Sequence, residues 1–360
     1  MTNPQCLIQS LPVSTFEFDK ESLEAPPNCF VFGLYTLASM EHAILPISAL
    51  FAEHSFSFWD DYHTHEQIID PLTEYTKFAF FRHHKDPYLA VTTEGVYGEM
   101  VDMMSDRCGI SIDVLPFTHI DDFLNHVHRQ FELNRPILLD FDMGYIPSRH
   151  QYKIIVGNEH TVFLTQYRQD TQQFLINDQD IVNDPVPLDD FIACFDSMIK
   201  MKGTFNCYQV TLDKNKPSLL TVEQIKEDVQ KNVANLSTDH FDLGMQAVKR
   251  YIHAMIELKS LNENFSTFGT WVFINQRKLQ TRWCDLVAQT LTSPEQVLAL
   301  AQLRNHLTVT LSKWSEYAML EKLVRKTERI RPEQQVKKGI EAAQLELESP
   351  TFWLNLQKTL

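Results

Sequence analysis

Cys29 is the residue whose surroundings most favour reactive chemistry. The nucleophilic form of cysteine is the thiolate, and a helix N-terminus lowers a thiol pKa through its unpaired N–H groups and its dipole. The segment Asn28-Cys29-Phe30-Val31-Phe32-Gly33-Leu34 follows Ala25-Pro26-Pro27. The prolines resist helix and Asn28 is a good N-cap, so the sulfur falls in the first turn of an apolar helix over 29–41. The other five cysteines sit less well: Cys6 in a tail, Cys108 at a helix end, Cys194 and Cys284 inside helices, Cys207 in a strand. The ordinary fate of such a cysteine is to serve as a small buried hydrophobe. No C-x-x-C occurs, so neither a zinc knuckle nor a thioredoxin-type site is written here.

A cysteine nucleophile needs a base, and the base needs a group that orients it. His160 starts one apolar run and Asp178 ends the next, with the polar Arg168-Gln169-Asp170-Thr171-Gln172 between them as a hairpin turn. A turn centred near residue 169 or 170 places 160 opposite 178 to 180, so a His160–Asp178 hydrogen bond is geometrically reasonable. Asn177 and Asp180 are fallback orienters, and His150 is a fallback base. Taken alone, a strand-start histidine is more often simply exposed. A helix-start cysteine, a strand-start histidine and a strand-end aspartate, in that order, recur in papain-like enzymes. No oxyanion donor stands out: Gln9 lies 20 residues before Cys29, where papain-like folds often place one, but Gln5 is equally arguable.

The elements that must position these residues are of two kinds. Up to residue 212, helices over 94–108 and 119–133 mix with strands over 109–115, 136–141, 160–167 and 173–178. A short helix over 186–195 and a closing strand over 205–212 complete an α+β arrangement, a helix-first lobe preceding an antiparallel sheet. The polar stretch Asp213-Lys214-Asn215-Lys216-Pro217-Ser218 marks a boundary. Beyond it every long segment has helical period: 221–236, opened by Thr221 three residues before Gln224 as a capping box, then 239–259, 271–291, 294–326 and 332–347. The expected organisation is an α+β domain over 1–213 followed by an all-helical bundle over 217–360.

Composition bounds the function. The 360 residues hold 32 Lys+Arg against 47 Asp+Glu, a formal charge of −15, which repels nucleic acid. Residues 1–212 hold 12 against 30, or −18, while residues 213–360 hold 20 against 17, or +3. With only 10 glycines, no G-x-G-x-x-G, no G-x-x-x-x-G-K-[ST] and no G-x-S-x-G can be written. Rossmann, P-loop and nucleophile-elbow readings lose their sequence support, and no cofactor is expected. The N-terminus shows no secretion signal, and no run approaches the ~18 apolar residues of a membrane span. Dispersed cysteines in such a chain read as reduced and cytoplasmic. Asp60-Asp61-Tyr62-His63-Thr64-His65-Glu66 offers an H-x-H pair, but no third ligand is placed and the flanks read as a loop, so no metal is expected.

Several of these segments resemble the butirosin biosynthesis protein H family. Asn28-Cys29-Phe30-Val31-Phe32-Gly33-Leu34-Tyr35-Thr36-Leu37 is similar to that family's cysteine-containing opening. Pro136-Ile137-Leu138-Leu139-Asp140-Phe141-Asp142 through Gly144-Tyr145-Ile146-Pro147 looks like its strand and Tyr/Pro loop. Asn158-Glu159-His160-Thr161-Val162-Phe163-Leu164 and Phe174-Leu175-Ile176-Asn177-Asp178 look like its histidine and aspartate strands. Leu243-Gly244-Met245-Gln246-Ala247-Val248 and the Trp271 region resemble the helical domain that commonly follows. Two features depart from the pattern. The family's usual Gly-Tyr-Asp is Gln166-Tyr167-Arg168 here, and His150-Gln151-Tyr152-Lys153-Ile154-Ile155-Val156-Gly157 offers a competing register without a following aspartate.

The resemblance implies a papain-like cysteine-protease-type N-terminal domain with Cys29, His160 and Asp178 as its catalytic residues. It further implies an acyltransferase of antibiotic-type secondary metabolism, moving an acyl group from the phosphopantetheine thioester of an acyl carrier protein to an aminoglycoside-type amine. Charge adds an expectation of its own: an acidic first half would attract a cationic acceptor such as an aminoglycoside or polyamine. An acidic carrier protein would dock more comfortably on the second half, where Arg325-Lys326, Arg329, Arg331, Lys337 and Lys338 cluster. Two competing readings stand beside this one. The same site would serve a peptidase or thioesterase if water reached the acyl-enzyme, and an unreactive Cys29 would leave a binding scaffold with a vestigial site.

Overall fold

The segment following Pro27 is apolar around its whole circumference, and a helix of that kind needs cover on every side. In the computed structural model it forms α1 (Cys29–Glu41), with Phe30, Val31, Phe32, Leu34 and Ala38 buried. The structure describes residues 8, 11–12, 29–41, 45–50, 76–79, 98–149, 152–154, 159–178, 181–213, 215–216, 219–239, 244–261, 265–268, 270–326 and 332–360. After α1 come a 3-10 turn (Ile47–Leu50), β1 (Thr76–Ala79), α2 (Gly98–Cys108), β2 (Ile110–Phe117), α3 (Ile120–Glu132), β3 (Ile137–Asp142), β4 (Glu159–Arg168) and β5 (Gln173–Asn177). Then follow β6 (Asp184–Pro187), α4 (Leu188–Lys202), β7 (Phe205–Leu212), α5 (Val222–Leu236), α6 (Gly244–Leu261), β8 (Phe265–Phe268), α7 (Thr270–Val287), α8 (Pro294–Lys326), α9 (Pro332–Glu346) and α10 (Ser349–Thr359).

The chain divides into two compact units, residues 1–44 with 104–216 and residues 45–103 with 217–360. The break after residue 216 falls within the polar stretch that marks the boundary in sequence. Residues 45–103, by contrast, group with the C-terminal helices. Counted by unit, the charges are −10 (11 Lys+Arg, 21 Asp+Glu) and −5 (21 and 26), so neither unit is net basic.

In the first unit the six strands form one antiparallel sheet in the order β2-β7-β3-β4-β5-β6. Its two faces are covered differently. Ile137, Leu139 and Phe141 of β3, with Val162 and Leu164 of β4, pack against Phe123 and Val127 of α3 and Phe191, Phe195 and Met198 of α4. Helix α1 packs on β2, β3, β4 and β7. With cover on both faces, every residue of β3 is buried, which explains a run of Ile-Leu-Leu rather than alternation. Gly33 permits the approach of α1: a Cβ there would lie 2.4 Å from Leu138 Cδ1.

The hairpin expected between 160 and 178 is present, with a bulge between Leu164 and Gln166. Strand β6 is a correction. The pattern over 186–195 reads as a short helix, yet Asp184–Pro187 pairs with β5 at the sheet edge, and the helix begins only at Leu188. An edge strand tolerates Pro185 and Pro187 because their missing N–H groups need not pair inward. The helix then runs on to Lys202, with Asp189 and Asp190 in its first turn and Lys200 and Lys202 in its last, complementing the dipole, and ends at Gly203 with φ +81°.

Among the described residues, the second unit is helical apart from a two-stranded parallel pairing of β1 with β8, which the helical periodicity does not foretell. The Thr221–Gln224 capping box forms as expected. Helices α7, α8 and α9 meet around a fully buried ion pair, Arg277 Nε to Glu346 Oε1 at 2.9 Å and Nη2 to Oε2 at 3.2 Å. Trp314 Nε1 donates to the same carboxylate at 3.0 Å. Trp283 Nε1 donates to Asp228 Oδ2 at 3.0 Å, tying α7 to α5. Among the described residues, no helix is long and apolar enough to cross a membrane.

Candidate active site

Cys29 is the first residue of α1, where the helix dipole and unpaired N–H groups favour an anion. Its neighbours come from the start of β4. His160 hydrogen-bonds to the thiol, and both the N–H and the hydroxyl of Thr161 do so as well. Burial works to raise the thiol pKa. The hydrogen bond and positive charge of His160, with the two Thr161 donors, outweigh it and hold Cys29 below the ordinary value of 9.0. The other described cysteines go the opposite way: burial pushes Cys108 up to about 12 and raises Cys194, Cys207 and Cys284 as well. Among the described cysteines, Cys29 is therefore the one poised as a thiolate.

His160 is fixed from its other side. Its Nε2 lies 2.8 Å from Asp178 Oδ2. With Nε2 so engaged, the bond to the sulfur falls to Nδ1, the geometry in which one imidazole both faces a nucleophile and leans on an orienter. Burial alone would push His160 down, but the hydrogen bond to Asp178, the bond to Cys29 and the charges of both raise it to about 10. The lowered thiol and the raised imidazole together favour the imidazolium–thiolate form of the pair.

Asp178 sits just beyond the end of β5, almost wholly buried, and its oxygens are fully engaged. Oδ1 accepts the Ile181 N–H at 2.6 Å, while Oδ2 accepts from His160 and from Arg149 Nη2 at 3.0 Å. Arg149 comes from the loop after the 3-10 turn Met143–Tyr145. That loop is anchored by Ser148 to Asp184 and by Tyr152 Oη to Asp190 Oδ2 at 2.7 Å.

The structure thus brings together Cys29, His160 and Asp178, the three residues singled out from sequence. Asn177 lies elsewhere: it donates to Thr165 Oγ1 at 2.8 Å and accepts the Asn183 N–H at 2.7 Å. His150, Asp180, Gln5 and Gln9, with the His63/His65 pair, lie outside the described residues. Among the described residues, no cluster of three or more His, Cys, Asp or Glu side chains is arranged to hold a metal ion. Sequence reasoning missed Thr161 and Arg149. Thr161 offered no signal beyond adjacency to His160, whereas Arg149 is one of few basic residues in an acidic stretch.

A groove of about 1050 Å³ opens in the same unit, lined by Leu37 and Met40 of α1, His126 and Gln130 of α3, and Tyr208 and Val210 of β7. Leu37 is eight residues along α1 from Cys29, roughly 12 Å of helix rise, so this groove lies toward the far end of the helix from the thiol. A comparison with protein-family models found no match to this chain, and a search of curated proteins found none.

Proposed function

We propose that the chain is a cysteine acyltransferase acting through a Cys29 acyl-enzyme, its first unit built on the papain-like plan. The observation that carries this reading is the Cys29–His160–Asp178 arrangement, in which the thiol with the lowered pKa, the base and the orienter lie in sequence on α1, β4 and the end of β5. The thiolate attacks the carbonyl carbon of a thioester, forming a new C–S bond. Collapse expels the donor thiolate, which takes the proton from His160 Nδ1. An amine then attacks the acyl-enzyme, His160 accepts an amine proton, and Cys29 leaves as thiolate beside the restored imidazolium. The products are an amide and a free donor thiol, so atoms and protons balance without a cofactor.

The donor and acceptor follow from the family resemblance and from charge. An acyl carrier protein bearing phosphopantetheine is the donor, and a polyamine or aminoglycoside the acceptor, in antibiotic-type secondary metabolism. The −10 of the first unit favours a cationic acceptor. The docking patch proposed for the carrier has less support. Lys338 spends its charge on Glu316 at 3.1 Å and Glu341 at 2.8 Å, and Arg329 and Arg331 lie outside the described residues. A cytoplasmic setting, where thiols stay reduced, suits the free cysteines at 29, 108, 194, 207 and 284.

Intact-protein mass spectrometry after exposure to acyl-pantetheine and acyl-carrier thioesters tests the reading, with Cys29→Ala alongside. The expected result is an acyl adduct on the wild type, absent from the variant and discharged by polyamines or aminoglycosides to give the amide. Discharge by water at the same rate with and without amine would instead establish a hydrolase. No adduct from any thioester, free or carrier-bound, would leave a binding protein.

A further inference from the structure

A second polar cluster adjoins the thiol and is not used by the mechanism above. Asp140 lies in β3 directly across from Thr161 of β4 and is almost wholly buried. Its Oδ2 accepts the Tyr208 hydroxyl at 2.7 Å, and its Oδ1 lies 3.4 Å from Thr161 Oγ1. That same Thr161 hydroxyl bonds to Cys29. A hydroxyl carries one hydrogen, so Thr161 cannot donate to a carboxylate at Asp140 and to a thiolate at Cys29 together. While Cys29 is a thiolate, both contacts are satisfied only if Asp140 carries a proton, donates it to Thr161 Oγ1, and leaves the Thr161 hydrogen for the sulfur. The Tyr208 donor on Oδ2 directs that proton to Oδ1, the oxygen facing Thr161.

We propose that Asp140 is a positioning residue for the nucleophile: when protonated it turns the Thr161 hydroxyl onto Cys29, and when ionised it draws that hydroxyl away. The inference rests on Cys29 being the nucleophile, but not on what it acylates. The groups facing Asp140 are Thr161 and Glu159 from β4, Tyr208 and Cys207 from β7, and Lys202 from α4. Burial, with the hydrogen bond and charge of Glu159, pushes Asp140 up to about 7 against the Tyr208 hydroxyl and Lys202. Lys202 ion-pairs with Glu159, which satisfies that carboxylate from outside, and lies 4.0 Å from Asp140 Oδ2. The device would make Cys29 respond to pH near neutrality through a group other than the Cys29–His160 pair.

The test is the rate of Cys29 alkylation by iodoacetamide, followed by intact mass from pH 4 to 11 with Cys29→Ala as the blank. No acyl donor enters, so the outcome is independent of the acyl-transfer reading. The wild type should show the rise of the thiolate and a second inflection near pH 7. Asp140→Asn, whose amide donates to Thr161 at every pH, should keep the first and lose the second. Thr161→Val should lose the second inflection and move the first upward, and Thr161→Ser, which keeps the hydroxyl, should restore both. Survival of the second inflection in Thr161→Val would show that the charge of Asp140 acts directly through space and would overturn the proposal. So would its absence from the wild type or its survival in Asp140→Asn. If Asp140→Asn does not fold, the two Thr161 variants decide the matter alone.

Discussion

Arg149 Nη2 lies 3.0 Å from Asp178 Oδ2, the same oxygen that holds His160 Nε2 at 2.8 Å. Two donors on one buried carboxylate oxygen divide its charge. Arg149 therefore draws on the electrostatics of Asp178 while pinning its position. Arg149→Met should separate the two effects. With the guanidinium gone, all of the carboxylate's charge favours the imidazolium, so the alkaline limb of activity should stay at or above its wild-type position. The carboxylate itself becomes less well fixed, and acylation of Cys29 should fall by about tenfold or more, as misplacement of a catalytic group does. Burst kinetics of acyl-enzyme formation across pH would read both.

The seating of Cys29 depends on how closely α1 lies on the sheet. A Cβ at residue 33 would meet Leu138 Cδ1 at 2.4 Å and Cδ2 at 2.9 Å, and Leu138 is fully buried. Gly33→Ala gains up to about 1 kcal/mol in helix propensity, but overpacking a closed core costs roughly 1–3 kcal/mol, so the net effect should be destabilising. The displaced helix carries Cys29 at its first turn, so alkylation should slow as well. Adding Leu138→Val, whose shorter side chain lacks the two colliding δ methyls, should restore part of both. A chemical denaturation series with alkylation rates measured on the same samples checks this.

The three residues of the site were legible because each sits at an element end, where sequence speaks clearly. Cys29 follows a helix-breaking Pro-Pro, and His160 and Asp178 flank one polar turn, so the order of elements brought them together. The bulge between Leu164 and Gln166 was invisible, since it leaves no mark in the alternation. Arg149 and Asp140 were missed for a different reason. Their roles depend on side chains from strands distant in sequence: Asp140 meets Tyr208 across 68 positions, and Arg149 reaches Asp178 across 29. An aspartate inside the buried run Ile137–Asp142 was nonetheless a signal, because a carboxylate between two covered faces needs a stated partner. The charge contrast between halves was legible but misleading. The basic C-terminal half shares its structural unit with the acidic segment 45–103, which a linear count cannot reveal.

Arg277 and Glu346 are both fully buried and bonded bidentately. Removing one partner strands a charge in the interior. Glu346→Gln should cost about 3–5 kcal/mol in denaturant unfolding. Trp314 Nε1 keeps an acceptor in the amide, so the loss is chiefly electrostatic. Replacing both residues by apolar ones of similar volume, Arg277→Met with Glu346→Leu, should recover most of it, because the desolvation of both charges disappears together. Cys29 reactivity serves as the control and should be unchanged in the doubly substituted protein.

The imidazolium–thiolate pair makes a pH prediction whose sign can be worked out for each member. His160 is raised from 6.5 to about 10, so the folded state holds more protons than the unfolded chain across that window. Its contribution to stability is fully present below 6.5 and is lost as pH rises through about 10. Cys29 is lowered from 9.0, so its contribution is present above 9.0 and is lost as pH falls through the folded value. Between the folded value of Cys29 and 9.0 the two slopes oppose each other, and above 9.0 the loss from His160 stands uncompensated. Wild-type protein should therefore lose stability between pH 9 and 11 more steeply than Cys29→Ala. In the variant, burial still pushes His160 down while two of the interactions that raised it, the Cys29 hydrogen bond and charge, are gone. Its imidazole should then titrate lower, held up by Asp178 alone. NMR titration of the His160 ring protons in both proteins reads this directly, and an unchanged midpoint would mean that Cys29 is not ionised beside it.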